Sequence, residues 1–179
     1  MKTLCLIILS AAIPSLAFGL AKPRARDLSI PFDGVPGPLN AISDVEGVKV
    51  GHVTLIEGEG RLVTGQGPIR TGVTAILPRG VRGYDRVFAA THAFNGNGEM
   101  TGSAWIRESG FLEGPIVLTN THSVGTAMEA VVKWSIRNAP GADAVSLPVV
   151  VETWDGGLND INGFHVRAEH VWAALDAAT

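Results

Sequence analysis

The chain has 179 residues, of which 46% are hydrophobic and 17% charged, proportions typical of one globular domain with an apolar core. Fourteen Lys and Arg residues stand against 17 Asp and Glu residues, so the formal net charge is -3, and no dense basic run is present. This balance argues against nucleic acid as a partner, and the apolar content argues against a disordered or fibrous chain.

The N-terminus has the organisation of a secretory signal peptide. Lys2 precedes an apolar run, and residues 17–19, Ala-Phe-Gly, form a small-x-small pattern typical of signal-peptidase sites. We predict a signal peptide over residues 1–19, with cleavage after Ala21 as the alternative, and export to the periplasm or the medium. Because Pro14 breaks the run and no basic flank closes it, no stable membrane span is expected after cleavage.

Cleavage would remove Cys5, the single cysteine of the chain. The mature chain could then form no disulfide and would offer no cysteine nucleophile or metal ligand. Residues 20–40 are rich in Pro, Gly and charge and show no periodicity, which predicts an extended arm. The folded domain is expected over residues 41–179.

Hydrophobic periodicity predicts both helices and strands in this domain. Residues 124–137 repeat apolar side chains near a 3.6-residue spacing, with Thr121 or Ser123 as the expected cap and residues 138–141 as the stop. A second helix is predicted over residues 167–178. With no internal repeat, this mixture predicts an α/β or α+β layered fold. Strands are predicted at residues 48–56, 72–77, 87–94, 116–118 and 145–152, the last bulged or at an edge because of Pro148.

The five histidines are scattered, and only His165 and His170 stand close, without the helical spacing of a chelating pair. No metal site and no cofactor are therefore expected. His52 and His92 are each predicted to lie in a strand and to satisfy a local hydrogen bond.

Residues 95–102, Asn-Gly-Asn-Gly-Glu-Met-Thr-Gly, form a loop motif. The motif lacks the Lys of a phosphate-binding loop, and Glu99 would repel an anion, so nucleotide binding is not expected. Its asparagine amides and permissive glycines suit the rim of a pocket. An ordinary turn is the alternative interpretation.

Two carboxylates, Glu108 and Glu113, follow Trp105 closely in the sequence. A carboxylate at a pocket wall can bind an ammonium group through charge-assisted hydrogen bonds, and a neighbouring aromatic ring adds cation–π attraction. The alternative is that both carboxylates are solvated or structural.

Several segments between residues 41 and 161 resemble, in order, successive motifs of one family of peptidases. They are residues 41–54, 95–102, 108–110, 115–116, 118–125 and 152–161. The family is that of the DmpA-type peptidases, also called the P1 or S58 family. Within it, the chain is especially similar to the exported β-peptidyl aminopeptidases and to the L-aminopeptidase/D-amidase-esterase.

The resemblance implies an α+β fold, an Ntn-hydrolase-like α/β/β/α sandwich, made as an inactive precursor that cuts itself before a serine. That serine becomes the N-terminus of a smaller subunit and the nucleophile, and its own α-amine, with an ordinary pKa of about 8, acts as the base. Such an enzyme releases N-terminal L-α, D-α or β-amino acids from short peptides, amides or esters through an acyl-enzyme.

In this family the self-cleavage junction, the nucleophilic serine and the oxyanion asparagine belong beyond Thr179. The resemblance therefore implies that residues 41–179 are the N-terminal part of the large subunit, without a catalytic residue of their own. The fragment alone is expected to be inactive. Its implied protein partners are its own small subunit and further copies, in a tetramer of heterodimers.

By order and spacing within the family pattern, the role of the amine-recognising carboxylate is carried over to Glu113. The resemblance also implies that Trp105 forms a wall of the substrate pocket and that Gly114 and Pro115 line it. Asn95 and Asn97 are expected at the rim of this pocket.

Three other functions stay open at this point. An inactive small-ligand-binding module would keep the fold and the amine pocket without the nucleophile. An acyltransferase of the ornithine acetyltransferase type would use the same architecture with a threonine nucleophile, and a metal hydrolase would use the histidines.

Overall fold

The computed structural model describes residues 23–79, 86–138 and 147–179. The chain divides into two units, Met1–Val35 and Pro36–Thr179. In the first unit, residues 23–35 form turns, and the Arg26 guanidinium carbon lies 5.4 Å from the centroid of the Phe32 ring. The predicted signal peptide lies outside the described residues, and no helix among those described is long and apolar enough to cross a membrane.

The second unit is built around a four-stranded sheet. In chain order, the elements are β1 (Lys49–Glu57), β2 (Ile69–Leu77), β3 (Val87–Phe88), α1 (Ser103–Ser109), β4 (Phe111–Leu112), β5 (Ile116–Asn120), α2 (Val124–Asn138), β6 (Val149–Thr153) and α3 (Ala168–Asp176). The order of the sheet is β1-β2-β5-β6: β2 pairs antiparallel with both β1 and β5, β5 and β6 pair parallel, and β3 and β4 form a separate two-stranded pair. Short 3₁₀ helices occur at Ile42–Asp44, Thr121–Ser123 and Ile161–Gly163.

Most elements lie where periodicity predicted them, and one strand is much shorter than predicted. The strand predicted over residues 87–94 is wrong, because β3 ends at Phe88: its partner β4 has only two residues, and a strand needs paired backbone groups to continue. The Asn120 side chain accepts a hydrogen bond from the Ser123 amide and so caps the 3₁₀ turn Thr121–Ser123, which leads directly into α2. Pro148 immediately precedes β6, and β6 is an edge strand of the four-stranded sheet, one of the two predicted alternatives.

Helices α2 and α3 cover one face of the sheet. Trp134 of α2 is only 1% exposed, and its indole Nε1 donates a hydrogen bond to Asp176 Oδ1 at 2.7 Å. In return, Trp172 Nε1 of α3 donates to the carbonyl of Ala130 in α2 at 2.9 Å. These bonds satisfy the polar atoms of two large aromatic side chains and hold the two helices together. The buried core on this face includes Val73, Ala75, Leu77, Val117, Ala127, Val131, Val150, Val171, Ala174 and Leu175.

Gly51 allows α3 to approach β1 closely. An ideal Cβ at this position would overlap the carbonyl oxygen of Ala174, a backbone atom that cannot rotate away. The absence of a side chain at residue 51 therefore sets how deeply α3 packs on the sheet.

The opposite face of the sheet is covered at one end by α1 and the β3–β4 pair. Ile106 of α1, Leu112 of β4 and Val149 of β6 are buried together there, with Ile116 and Val151 packed against them. Side chains alternate between the two faces along each strand, so Val150 joins the core under α2 and α3 while its neighbours join this second cluster. This second cluster fixes α1 near the end of β6.

We expect the Gly51→Ala variant to lose about 1–3 kcal/mol of unfolding free energy, because the new methyl group meets the Ala174 carbonyl. Gly125→Ala is the matched control: an added Cβ at this exposed helical position meets nothing within 4 Å, and alanine favours the helix. Urea unfolding of the two purified variants tests the contact. Equal midpoints would contradict the packing described for α3.

Candidate functional site

The Gly/Asn loop over residues 95–102 lies along the outer edge of β6. The Glu152 amide donates to the Glu99 carbonyl at 3.1 Å, and the Thr101 amide donates to the Val150 carbonyl at 3.0 Å. Met100 and Val151 form an antiparallel bridge between these two bonds. The loop therefore serves as a short additional strand beside β6, which leaves fewer edge groups of that strand unpaired.

The Thr101 hydroxyl adds two hydrogen bonds between the loop and the residues at the start of β6. It accepts a hydrogen bond from the Val150 amide at 2.9 Å and donates one to the Pro148 carbonyl. Gly102 follows with φ +70°, and an ideal Cβ there would lie 2.9 Å from the Leu147 carbonyl oxygen. A threonine followed by a left-handed glycine thus lets the loop join β6 and then turn directly into α1.

A cavity of about 560 Å³ lies between this loop, the end of β6 and α1. Its size is within the roughly 300–1,000 Å³ range of small-molecule sites. The loop and the four residues before it supply most of the wall, α1 supplies Ser103 and Arg107, and Glu152 and Trp154 come from the end of β6 and just after it. The remaining lining residues are Thr91, His92, Ala93, Phe94, Asn95, Gly96, Asn97, Gly98, Glu99, Met100 and Val151.

Glu152 is the carboxylate best placed in this cavity. Its Oε1 would lie 3.2 Å from an ideal Cβ at Gly98, so glycine gives the carboxylate room beside the loop. Its Oε2 is buried and accepts no hydrogen bond from any residue that the structure describes. A buried carboxylate oxygen without a donor is costly, and a cationic donor would relieve that cost. Trp154, two residues further on, is 69% exposed and lines the same cavity.

The structure brings together only some of the residues implied by the family resemblance. Asn95 and Asn97 line the cavity, and the Asn95 side-chain oxygen accepts a hydrogen bond from the Asn97 amide at 2.8 Å, which shapes the turn. Glu113 instead forms an ion pair with Arg86, with 2.7 Å between Oε1 and Nε. Trp105 on α1 is 40% exposed and, like Glu113, Gly114 and Pro115, is not among the residues lining this cavity.

Glu152 and Trp154 had a signal in the sequence. They are a carboxylate and an aromatic residue at the end of an apolar strand, within the segment 152–161 that resembles a family motif. The same reasoning that singled out Glu113 with Trp105 applies to this pair. Sequence order alone could not tell which pair faces a cavity, since that depends on the pairing of the loop with β6.

A second cavity, of about 340 Å³, lies on the part of the sheet face that α1 leaves uncovered. It is lined largely by hydroxyl-bearing and amide side chains, and His52 lies at its edge. His52 is in β1, and its Nδ1 lies 3.0 Å from Thr74 Oγ1, as predicted for a strand histidine. His92 differs from its prediction, because it is exposed in the irregular stretch after β3 and lines the first cavity.

Asp160 forms a buried polar centre beyond the end of β6. Its Oδ2 accepts hydrogen bonds from His165 Nε2 at 2.9 Å and from the amides of Gly65 and Gly67 at 2.7 and 3.3 Å. The hydrogen bond from His165 lowers the pKa of Asp160 below its ordinary value of 3.8; burial opposes this shift, and the two amides reinforce it. Asp160 therefore anchors the loop between β1 and β2. Within the described residues, no three His, Cys, Asp or Glu side chains group as a metal site.

The mixed α/β fold is that of the DmpA-type aminopeptidases of known structure, which have the Ntn-hydrolase fold. The model of the family described as "Peptidase family S58" matches residues 40–179. The chain belongs to this family of peptidases.

Relatives of this chain include β-peptidyl aminopeptidases. The chain is 54% identical over 156 residues to the β-peptidyl aminopeptidase BapA of Sphingosinicella microcystinivorans, covering 87% of this chain and 39% of the relative. Among solved structures, it is 50% identical to the L-aminopeptidase D-Ala-esterase/amidase of Ochrobactrum anthropi, with a TM-score of 0.78 over 88% of this chain and 45% of that one. A Burkholderia sp. β-aminopeptidase is 51% identical, with a TM-score of 0.78 over 88% and 44%. The chain thus spans less than half the length of these relatives.

Replacing Thr101 with valine should destabilise the protein by about 1–3 kcal/mol, because the Val150 amide and the Pro148 carbonyl lose their partner. Thr101→Ser keeps the hydroxyl and should retain most of the stability. Urea unfolding, with limited proteolysis of the loop, measures the difference. If the valine and serine variants unfold alike, the hydroxyl does not hold the loop on β6.

The stability of the protein should fall with acid in a way that depends on Asp160. Because folding lowers the pKa of this carboxyl, its contribution is present above the unfolded-state value and is lost as the pH falls through the folded-state value. We expect the urea midpoint of the wild type to drop more steeply below about pH 4 than that of Asp160→Asn. Parallel curves for the two proteins would show that this carboxyl does not contribute.

Proposed function

We propose that the chain is the N-terminal part of an exported, self-processing aminopeptidase with an N-terminal serine nucleophile. It would release N-terminal L-α, D-α or β-amino acids from short peptides, amides or esters. Membership of a peptidase family and the aminopeptidase names of its relatives support this proposal. The lengths of the relatives are consistent with a serine, an oxyanion asparagine and a small subunit encoded beyond Thr179.

The observation that carries the proposal is Glu152, which lines a cavity together with Trp154 and whose buried Oε2 has no partner among the described residues. A substrate ammonium there would donate to the carboxylate and lie near an aromatic ring, two interactions that favour a cation over a neutral group. An aminopeptidase needs such an anchor, because the free N-terminus of the substrate must lie at a fixed distance from the bond to be cut.

We therefore assign the amine anchor to Glu152 in preference to Glu113. Arg86 already neutralises Glu113 through an ion pair, whereas no cation of the described residues pairs with Glu152. Both are carboxylates near an aromatic residue in sequence, so the sequence criteria favour them equally. The Glu113 assignment remains a competing prediction that the same experiment tests.

The chemistry expected of the complete enzyme is acyl transfer in two steps. The serine hydroxyl attacks the substrate carbonyl and its proton passes to the serine's own α-amine, while amide donors stabilise the oxyanion. The C–N or C–O bond then breaks, the leaving group takes up the proton, and water hydrolyses the acyl-enzyme. The residues of the present chain hold the ammonium end of the substrate during both steps.

The test is to express the complete reading frame that contains this chain and to assay an amino-acid p-nitroanilide. We expect the precursor to split into two fragments, the smaller beginning with serine. The Glu152→Gln precursor should cleave itself as the wild type does. Its kcat/KM for the p-nitroanilide should fall about 100-fold, because the substrate ammonium loses a charged partner. Intact mass spectrometry and initial rates give the two readouts.

Glu113→Gln is the matched control, and we expect its kcat/KM to stay within about threefold of the wild type because its partner Arg86 is exposed. The reverse ranking of the two variants would assign the anchor to Glu113. A full-length protein that neither cuts itself nor hydrolyses the p-nitroanilide would support the inactive ligand-binding module instead.

A further inference from the structure

The cavity that contains Glu152 also carries a positive side chain. Arg107 lies on α1, one helical turn after Ser103, and both residues line the cavity. Arg107 is exposed and, among the described residues, forms no ion pair with a carboxylate. A guanidinium with free donors therefore lies at the same cavity as a carboxylate with a free oxygen.

Three of the other arginines near the sheet are engaged in contacts of the fold. Arg86 pairs with Glu113, Arg70 donates to the carbonyls of Glu57, Gly58 and Ile69, and Arg137 stacks over the Trp172 ring at 4.5 Å. Each of these arginines has a structural role that accounts for its position. The contacts of the fold give no such account of Arg107.

Glu152 and Arg107 line one cavity without neutralising each other. No ion pair joins them, so each keeps its charge available to a molecule between them. The third charged residue of the lining, Glu99, is exposed to water, and leaving a solvated carboxylate unpaired costs little. Arg107 is exposed as well, so only the buried oxygen of Glu152 needs a partner. A ligand that is positive at one end and negative at the other would supply that partner and would place its negative end at the available guanidinium.

We propose that Arg107 binds the C-terminal carboxylate of a short peptide whose N-terminal ammonium lies at Glu152. The guanidinium can hold a carboxylate through two parallel hydrogen bonds, and the Ser103 hydroxyl can donate a further one. This inference rests on the proposed function and narrows it: the preferred substrates are short peptides with a free C-terminus, not their amides or esters. Arg107 is a specificity-determining residue with no part in the bond-breaking step.

The experiment measures binding, so it does not depend on turnover. Two dipeptides with an N-methylated peptide bond, which resists hydrolysis, are titrated calorimetrically into the full-length protein; one ends in a carboxylate and the other in a carboxamide. We expect the wild type to bind the carboxylate form about tenfold more tightly, the size of one charge-assisted contact at an exposed site. Arg107→Gln should bind the two forms equally, and Arg107→Lys should keep part of the preference.

Glu108→Gln is the matched control, since this residue neighbours Arg107 on α1 but does not line the cavity. Its preference for the carboxylate form should equal that of the wild type. Glu152→Gln should weaken the binding of both peptides and leave their ratio in place.

Three results would overturn the inference: equal affinities of the wild type for the two peptides, a preference that survives in Arg107→Gln, or no binding of either peptide. Failure of the proposed function is seen separately, as absent self-cleavage and absent p-nitroanilide hydrolysis. If hydrolysis is absent but the carboxylate preference still depends on Arg107, the cavity is a binding site for zwitterionic peptides in a protein without turnover.

Discussion

The pairing of the Gly/Asn loop with β6 is the interaction on which the candidate site depends. Two backbone hydrogen bonds and the Thr101 hydroxyl join the loop to the strand, so buried amide and carbonyl groups of β6 find partners. The same contacts bring Asn95, Asn97 and Glu152 to one cavity, and the chain continues from the loop directly into α1. The need of the backbone polar groups of β6 for hydrogen-bond partners thus brings the loop, the end of β6 and α1 together around the cavity.

Small residues at a few positions make this arrangement possible. Gly98 leaves room for the Glu152 carboxylate, Gly102 turns the loop past the Leu147 carbonyl, and Gly51 lets α3 pack on β1. Around them, the indole hydrogen bonds of Trp134 and Trp172 and the buried Asp160 centre hold the helices and loops in place. Among the described side chains, the buried atoms without a hydrogen-bond partner are the hydroxyls of Thr121 and Ser135 and the Oε2 of Glu152. Glu152 is the one charged residue of the three and the one that lines the cavity, where an unpartnered charged group is typical of a binding site.

The regular elements could be predicted from local patterns, but several functional details could not. Strand β1 and helix α2 follow the alternation and the 3.6-residue spacing of their own apolar residues, so no distant contact is needed to recognise them. The stretch after Val87 has a similar apolar content, yet it forms only two strand residues because β4 is too short to pair with more. Asn95 and Asn97 of the loop motif line a cavity, and local patterns do not identify Glu152 and Trp154 as further residues of its lining.

The sequence by itself determined the mixed α+β composition and the family. It also indicated the kind of site, in which a carboxylate and an aromatic residue bind an amine. Only the tertiary structure decided which carboxylate faces the cavity. Thr101 and Val150 are 49 residues apart in the chain, and their contact brings Glu152 beside Gly98 while Glu113 meets Arg86 instead. Local periodicity reports which residues are buried within one element. It carries no information on which distant backbone edge an irregular loop will pair with, because that choice depends on the whole sheet.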